Sequence, residues 1–162
     1  MADKIRVGIV GATVTQGGSG WGANAHVPAL QVLPNYELKA VCTSHEETAK
    51  ASAEKFGAGL AFWNIKEMIE HPDIDLIAVV VRVPWHKKLV MAAIEANKPV
   101  CCEWPLGANL ADATEMANKA KAANVQTLVG LQAQSDPAIM HARDLVGNGD
   151  IGDVVTVNLR VM

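Results

Sequence analysis

Gly8-Ile9-Val10-Gly11-Ala12-Thr13-Val14-Thr15-Gln16-Gly17-Gly18-Ser19-Gly20-Trp21-Gly22 is the stretch on which the reading of this chain turns. It follows residues 5–10, an almost unbroken apolar run of the kind buried on both faces of a parallel sheet. It leads into a segment of helical period over residues 23–33. Strand, glycine-rich turn and helix in that order bring backbone N–H groups and the positive end of a helix to one point, where a pyrophosphate is received. Glycine serves such a turn because a side chain would hold the backbone off the phosphate, and because the turn needs dihedrals that other residues avoid. The compact G-x-G-x-x-G spacing is absent, since Ala12 and Thr13 follow Gly11 and the loop is longer. The competing reading is a plain surface loop; the position directly after the first strand favours the phosphate.

Working outward, apolar Val/Ile-rich runs alternate with helical segments. Strands are expected at residues 36–43, 60–62, 76–81, 99–103 and 125–131. Between them lie helices over residues 45–56, closed by Gly57, and 65–70, a helix led by Pro84 that runs to about residue 96, and one capped by Asn109. A last helix opens with Asp136 as N-cap and Pro137 in the first turn. This order predicts an α/β fold, a doubly wound parallel sheet of the Rossmann type. Residues 154–161 alternate apolar and polar instead, like the first strand of a separate α+β domain. The expected organisation is a nucleotide-binding domain over residues 1–150, with residues 151–162 as the start of a truncated second domain.

The bulk properties narrow the function. The 162 residues suffice for one ordinary core, and 50% are hydrophobic against 19% charged. A net charge of -3 gives no basic footprint, so direct nucleic-acid binding is not expected. The longest apolar run, residues 74–81, is interrupted by Asp75 and followed by Arg82, which argues against a membrane span. Residues 1–4 show no signal-peptide pattern, and a cytoplasmic setting is the default expectation. Cys42, Cys101 and Cys102 have neither disulfide nor metal spacing and read as buried thiols in strands. His45, His71 and His141 are too scattered for a metal site.

Candidate binding residues follow from the sheet. Gly11, Ala12, Thr13, Val14, Gly20 and Trp21 belong to the pyrophosphate loop. At the end of the second strand, where an acidic residue would accept from the ribose hydroxyls of NAD, the chain has Thr43-Ser44-His45. Neutral hydroxyls and an imidazole suit a 2′-phosphate better, so NADP(H) is favoured and NAD(H) is the alternative; Ser44 acting only as a helix cap fits the same place. Arg82, Pro84 and His86 follow the fourth strand, Glu103 and Trp104 end the fifth, and Gln132 follows the sixth, all at the carboxyl edge where ligands lie. Arg82 also reads as a solvated strand end, and Trp63 and Trp85 as packing residues.

The motif order Gly8-Ile9-Val10-Gly11, His26-Val27-Pro28-Ala29-Leu30, Val83-Pro84-Trp85-His86 and Lys98-Pro99-Val100-Cys101-Cys102-Glu103-Trp104-Pro105-Leu106 resembles the glucose–fructose oxidoreductase/inositol dehydrogenase (Gfo/Idh/MocA) family. Gly147-Asn148-Gly149-Asp150-Ile151-Gly152-Asp153 resembles that family's crossing into its second domain. The resemblance implies an NAD(P)-binding domain of an oxidoreductase acting on a sugar or polyol-like substrate. It places His26 near the cofactor and lets Glu103 accept from the nicotinamide ribose. It also implies a Glu-Lys-Pro motif whose lysine handles the proton, but here the motif reads Glu103-Trp104-Pro105, and indole cannot take that role. With the second-domain acid/base pair also lacking, no catalytic residue is assigned. The long loop, Gly20-Trp21 and the tryptophan variant are most similar to the branch containing the yeast galactose-regulon repressor, which implies the alternative of a nucleotide-sensing regulator acting through protein–protein contact. An unpaired terminal strand would further favour a homodimer formed by strand addition.

Overall fold

The computed structural model describes residues 4–14 and 20–158. β1, Ile5–Val10, divides its side chains between two faces: Val7 and Ile9 are buried in one apolar cluster and Val10 in another. The same division runs through β4, Leu76–Val79, where Ile77 and Val79 face one side and Ala78 the other. A sheet apolar on both faces needs helices on both, and that is why the strands read as continuous runs rather than alternating ones.

β2 (Tyr36–Cys42), β3 (Leu60–Phe62), β5 (Val100–Glu103) and β6 (Thr127–Gly130) complete a six-stranded sheet of order β3-β2-β1-β4-β5-β6. Every pairing is parallel. The strand order reverses between β1 and β4, which makes a crevice at their carboxyl ends. Residues such as Ile9 and Ile77 are fully buried, each contributing about 1.5–3 kcal/mol.

On one face, α3 (Ile65–Glu70), α4 (His86–Glu95) and α5 (Leu110–Ala123) supply Met68, Ile69, Leu89, Ala93, Ile94, Met116 and Ala120 to the core. On the other, α1 (Val27–Val32) and α2 (Glu46–Phe56) supply Val27 and Phe56. The expected stop and start signals hold. Gly57 closes α2 at φ +72°, and the Asn109 side chain accepts from the Asp112 N–H at the head of α5. α6, Pro137–Gly147, opens with Asp136 accepting from the N–H groups of Ala138 and Ile139.

The first helix differs from the regular one expected over residues 23–33. Its first turn, Gly22–His26, is a π-helix in which the Val27 N–H reaches the Gly22 carbonyl, and an α-helical pattern begins only at Val27. Pro28 gives the reason, because it has no N–H to donate to the carbonyl four residues back. β4 is likewise shorter than expected, and a 3₁₀ turn at Val83–Trp85 precedes α4.

The chain divides into two units, Met1–Gly130, which holds the whole sheet, and Leu131–Met162. The second carries a 3₁₀ turn, Gln132–Ser135, and α6. Residues 154–158 run without regular secondary structure, and the rest of the expected terminal strand lies outside the described residues. Among the described residues no helix is long and apolar enough to cross a membrane.

Candidate functional site

The loop after β1 is built around Gly11. Its φ is +103°, and a Cβ there would stand 2.0 Å from the Val80 carbonyl oxygen, so only glycine lets the chain turn this close to β4. Its N–H donates to the Cys42 carbonyl at 3.2 Å, which ties the turn to β2. Ala12 is fully buried, and Gly22 packs on it: a Cβ on Gly22 would meet the Ala12 N and Cα at 3.2 Å. The close approach that the compact fingerprint assigns to an earlier glycine is thus supplied by Gly22, ten residues beyond Ala12. The Val14 N–H donates to Ser52 Oγ at 3.2 Å, and the buried Ser52 donates to the Thr48 carbonyl at 2.6 Å. Ala12, Thr13 and Val14 are therefore held between β1 and α2. Gly20 accepts from the Asn24 N–H at 3.0 Å, while Trp21 stands 53% exposed at the head of the π-turn. Residues 15–19 of the loop lie outside the described residues.

At the end of β2, the Thr43 and Thr48 hydroxyls lie 2.6 Å apart, and each is 3.0 Å from the His45 carbonyl oxygen. The Thr43 hydroxyl is thereby used in turning the chain into α2. Ser44 and His45 are exposed. α2 begins at Glu46 with His45 as N-cap and no side-chain capping bond, so Ser44 does not cap it. The nearest carboxylate, Glu46, is paired with Lys50 at 2.7 Å.

The carboxyl ends of β4 and β5 gather the polar side chains. Arg82 is exposed and forms no ion pair among the described residues, and Pro84 sits in the exposed 3₁₀ turn. His86 is 1% exposed, with Nδ1 3.0 Å from the Pro105 carbonyl oxygen and Nε2 2.9 Å from that of Val81. Glu103 Oε1 lies 2.6 Å from His26 Nε2, so the π-turn after β1 is joined to the end of β5. A Cβ on Gly130 would come within 2.7 Å of the same carboxylate oxygen, so a glycine on β6 leaves room for Glu103. Trp104 is 64% exposed, and the Trp104–Pro105 peptide is cis. Lys87 of α4 binds Asp112 at 2.9 Å and Glu115 at 2.7 Å on α5, and these partners raise its ionisation above the ordinary lysine range.

Burial pushes the Cys42 and Cys102 thiols up to about 12 and raises that of Cys101, with the Glu103 charge adding to the last two. All three lie in strands as expected, Cys42 and Cys102 buried but Cys101 only half-buried. No cluster of His, Cys, Asp or Glu able to hold a metal occurs among the described residues. Gln132 belongs to the second unit, in its opening 3₁₀ turn.

Beside His26, which the resemblance placed near the cofactor, two residues with no expected role shape this edge: Gly22 and Gly130. His26 carried a signal in its His-x-Pro context. Gly22 is one of several glycines in the loop and nothing local singles it out, and nothing local in Gly130 announces a carboxylate from the neighbouring strand.

A glycine-turned loop at the strand-order switch, with a carboxylate facing it from β5, is the arrangement of a dinucleotide-binding sheet. Residues 5–131 match the model of the oxidoreductase family with an NAD-binding Rossmann fold. The chain belongs to this oxidoreductase family. Among relatives, the dehydrogenase aclE of Aspergillus oryzae is 34% identical over 99% of this chain and 45% of its own length. The galactose/lactose metabolism regulatory protein GAL80 of Saccharomyces cerevisiae is 29% identical over 98% of this chain and 38% of its own. An NAD binding oxidoreductase from Klebsiella pneumoniae superposes with a TM-score of 0.81 at 30% identity, covering 93% of this chain and 40% of that one. The chain thus spans less than half the length of these oxidoreductase-family relatives.

Proposed function

We propose that this chain holds NADP(H), with NAD(H) as the weaker ligand, for a protein that oxidises or reduces a sugar or polyol-like substrate. The observation that carries the reading is the junction at the switch point, where Gly11 turns against Val80 and His26 of the following turn reaches Glu103. The residues fit the group: the positive φ of Gly11 and the packing of Gly22 on Ala12 make a cradle that a side chain would fill.

When bound, the nicotinamide ring supplies the hydride donor or acceptor. The chain's own residues then divide the remaining work. Gly11, Ala12, Thr13, Val14, Gly20 and Trp21 form the loop that receives the pyrophosphate, with the Gly11 and Val14 N–H groups spent on Cys42 and Ser52 to hold the loop in shape. Ser44 and His45, exposed and uncharged or weakly basic, receive the adenosine ribose and its phosphate, with Thr43 shaping that turn. Glu103 accepts from a ribose hydroxyl, its carboxylate held by His26. Arg82, Pro84 and Trp104 stand exposed at the same edge, while His86 is buried behind it with both ring nitrogens on backbone carbonyls.

Calorimetric titration with NADPH, NADP, NADH and NAD tests this. Saturable binding that favours the phosphorylated pair supports the reading, and absence of binding by all four removes it.

A second reading is supported by one residue. Trp104 stands where a lysine would relay the proton, and indole has only a donor N–H that does not titrate. The chain would then serve a nucleotide-sensing regulator that works through a protein partner, a reading the similarity to GAL80 supports. Robust turnover of a sugar or polyol by the full-length protein would remove this reading. A Trp104→Lys variant that binds cofactor and still turns nothing over would favour it.

A further inference from the structure

We propose that His86 is a positioning residue that holds the Glu103–Trp104–Pro105 segment as a doubly protonated imidazolium. The ring is 1% exposed, and its two nitrogens face two backbone carbonyls, Pro105 at 3.0 Å and Val81 at 2.9 Å. A carbonyl only accepts, and a neutral imidazole carries one N–H. In either neutral tautomer the second nitrogen would set its lone pair against an oxygen at contact distance. Buried as it is, the ring has no bulk water to relieve that repulsion. The imidazolium donates to both.

Other charges do not account for the assignment. His86 is the first residue of α4, whose N-terminal dipole opposes a cation, as does burial. Its neighbour Lys87 is answered by Asp112 and Glu115 of α5, and Lys88 lies over the Trp85 ring. Glu103, at the end of β5, is answered by His26, and Cys101 and Cys102 of that strand are held neutral by burial. Arg82 is exposed, and of the α3 charges Lys66 pairs with Glu70 while Glu67 accepts from Asn64. The two carbonyls are the groups that select the charged ring.

The geometry has a mechanical consequence. Val81 lies just beyond β4 and Pro105 just beyond β5, so the ring fixes the spacing of two adjacent strand ends. Loss of one proton frees one of them and loosens the segment that carries Glu103 and Trp104. Its effect on a bound dinucleotide rests on the function proposed above; the staple itself does not.

The test uses the chain without ligand. Long-range ¹H–¹⁵N correlation on histidine-labelled protein, from about pH 5 to about pH 9, reads which ring nitrogens carry protons. The expected result is both His86 nitrogens protonated at the acid end with the fold intact, and movement of the Trp104 and Leu106 amides in step with any loss of a proton. One bare nitrogen at every pH where the chain is folded overturns the proposal. In His86→Gln, which keeps a single donor group, the linked pH response of those amides should vanish; its persistence would assign it to another group and equally overturn the proposal. If that variant does not fold, the wild-type spectrum decides alone. Failure to bind NAD(P) leaves both readouts intact, so the two readings fail separately.

Discussion

Nε2 of His26 stands 2.6 Å from Oε1 of Glu103, linking the first turn after β1 to the end of β5 across the carboxyl end of β4. Both side chains are largely buried, at 22% and 14% exposure, so the contact is shielded from salt and solvent more than a surface pair would be. It also orients the carboxylate, since a carboxylate held on one oxygen presents its other lone pairs in a fixed direction.

The first prediction concerns that pair. Glu103→Gln should weaken NAD(P)H binding about 10-fold, the loss of a hydrogen bond to a charged group. His26→Ala should weaken it less, because the carboxylate remains but is no longer held. The double variant should bind no worse than the sum of the single losses and measurably better if the two act as one unit. Calorimetry on the four proteins reads this. Unchanged affinity in Glu103→Gln would remove Glu103 from the binding surface.

Gly11→Ala should be among the most damaging single methyl additions in the chain. The new Cβ would meet the Val80 carbonyl oxygen at 2.0 Å in a backbone conformation of φ +103°. Relieving both requires β1 and β4 to separate at the switch point, which should cost more than about 3 kcal/mol. Urea unfolding checks it. A variant of unaltered midpoint would show that the loop turns elsewhere.

These two positions differ in how far the sequence disclosed them. Gly11 was legible, because a glycine directly after an N-terminal apolar strand has one common structural reason. Strand order and helix ends were legible too, since two-sided burial writes apolar runs and since Asn109, Asp136 and Gly57 are local signals. The Glu103 carboxylate was legible as an edge residue, but its partners were not. His26 lies 77 positions away, and Gly130 serves a side chain on the neighbouring strand. The π-turn was hidden for a similar reason. Pro28 lay in plain view, yet periodicity alone cannot say whether a proline opens a helix or widens its preceding turn.

Asp75 offers a pH prediction. Its carboxylate accepts from the Arg6 N–H at 2.8 Å, Nε at 2.9 Å and Nη2 at 2.8 Å. These bonds, side chain first, hold its ionisation down at about 2, against an ordinary 3.8. A lowered folded value stabilises the fold at pH above the unfolded value, and that contribution is lost as pH falls toward the folded one. Asp75→Asn should therefore be less stable than wild type at neutral pH, by about 1 kcal/mol given the exposure of the pair. The gap should close between about pH 4 and about pH 2. A gap that is constant across that window in thermal melts would assign the loss to geometry rather than charge.

The thiols predict slow chemistry. With Cys42 and Cys102 at about 12, the thiolate fraction at pH 8 is about 10⁻⁴, a thousandfold below an ordinary cysteine's order of 10⁻¹. Native protein should react with a disulfide reagent at these positions far more slowly than the same chain in urea. Rapid native labelling at Cys102 would mean that β5 opens readily, and Glu103 with it.

Gly130→Ala separates the site from the fold. Its Cβ would meet Glu103 Oε1 at 2.7 Å, Cδ at 3.0 Å and Oε2 at 3.1 Å, all atoms at the end of a flexible side chain rather than backbone. The carboxylate can rotate away, so the sheet should lose little, about 1 kcal/mol. That rotation breaks the 2.6 Å contact with His26, so the cost falls on ligand binding. The expected outcome is an unfolding midpoint near wild type with NAD(P)H affinity down about 10-fold, similar to Glu103→Gln. The combined variant Gly130→Ala/Glu103→Gln should add little further loss, because the first change has already displaced the group that the second alters. Additive losses would mean that Gly130 contributes through its own backbone, which would then face the ligand directly.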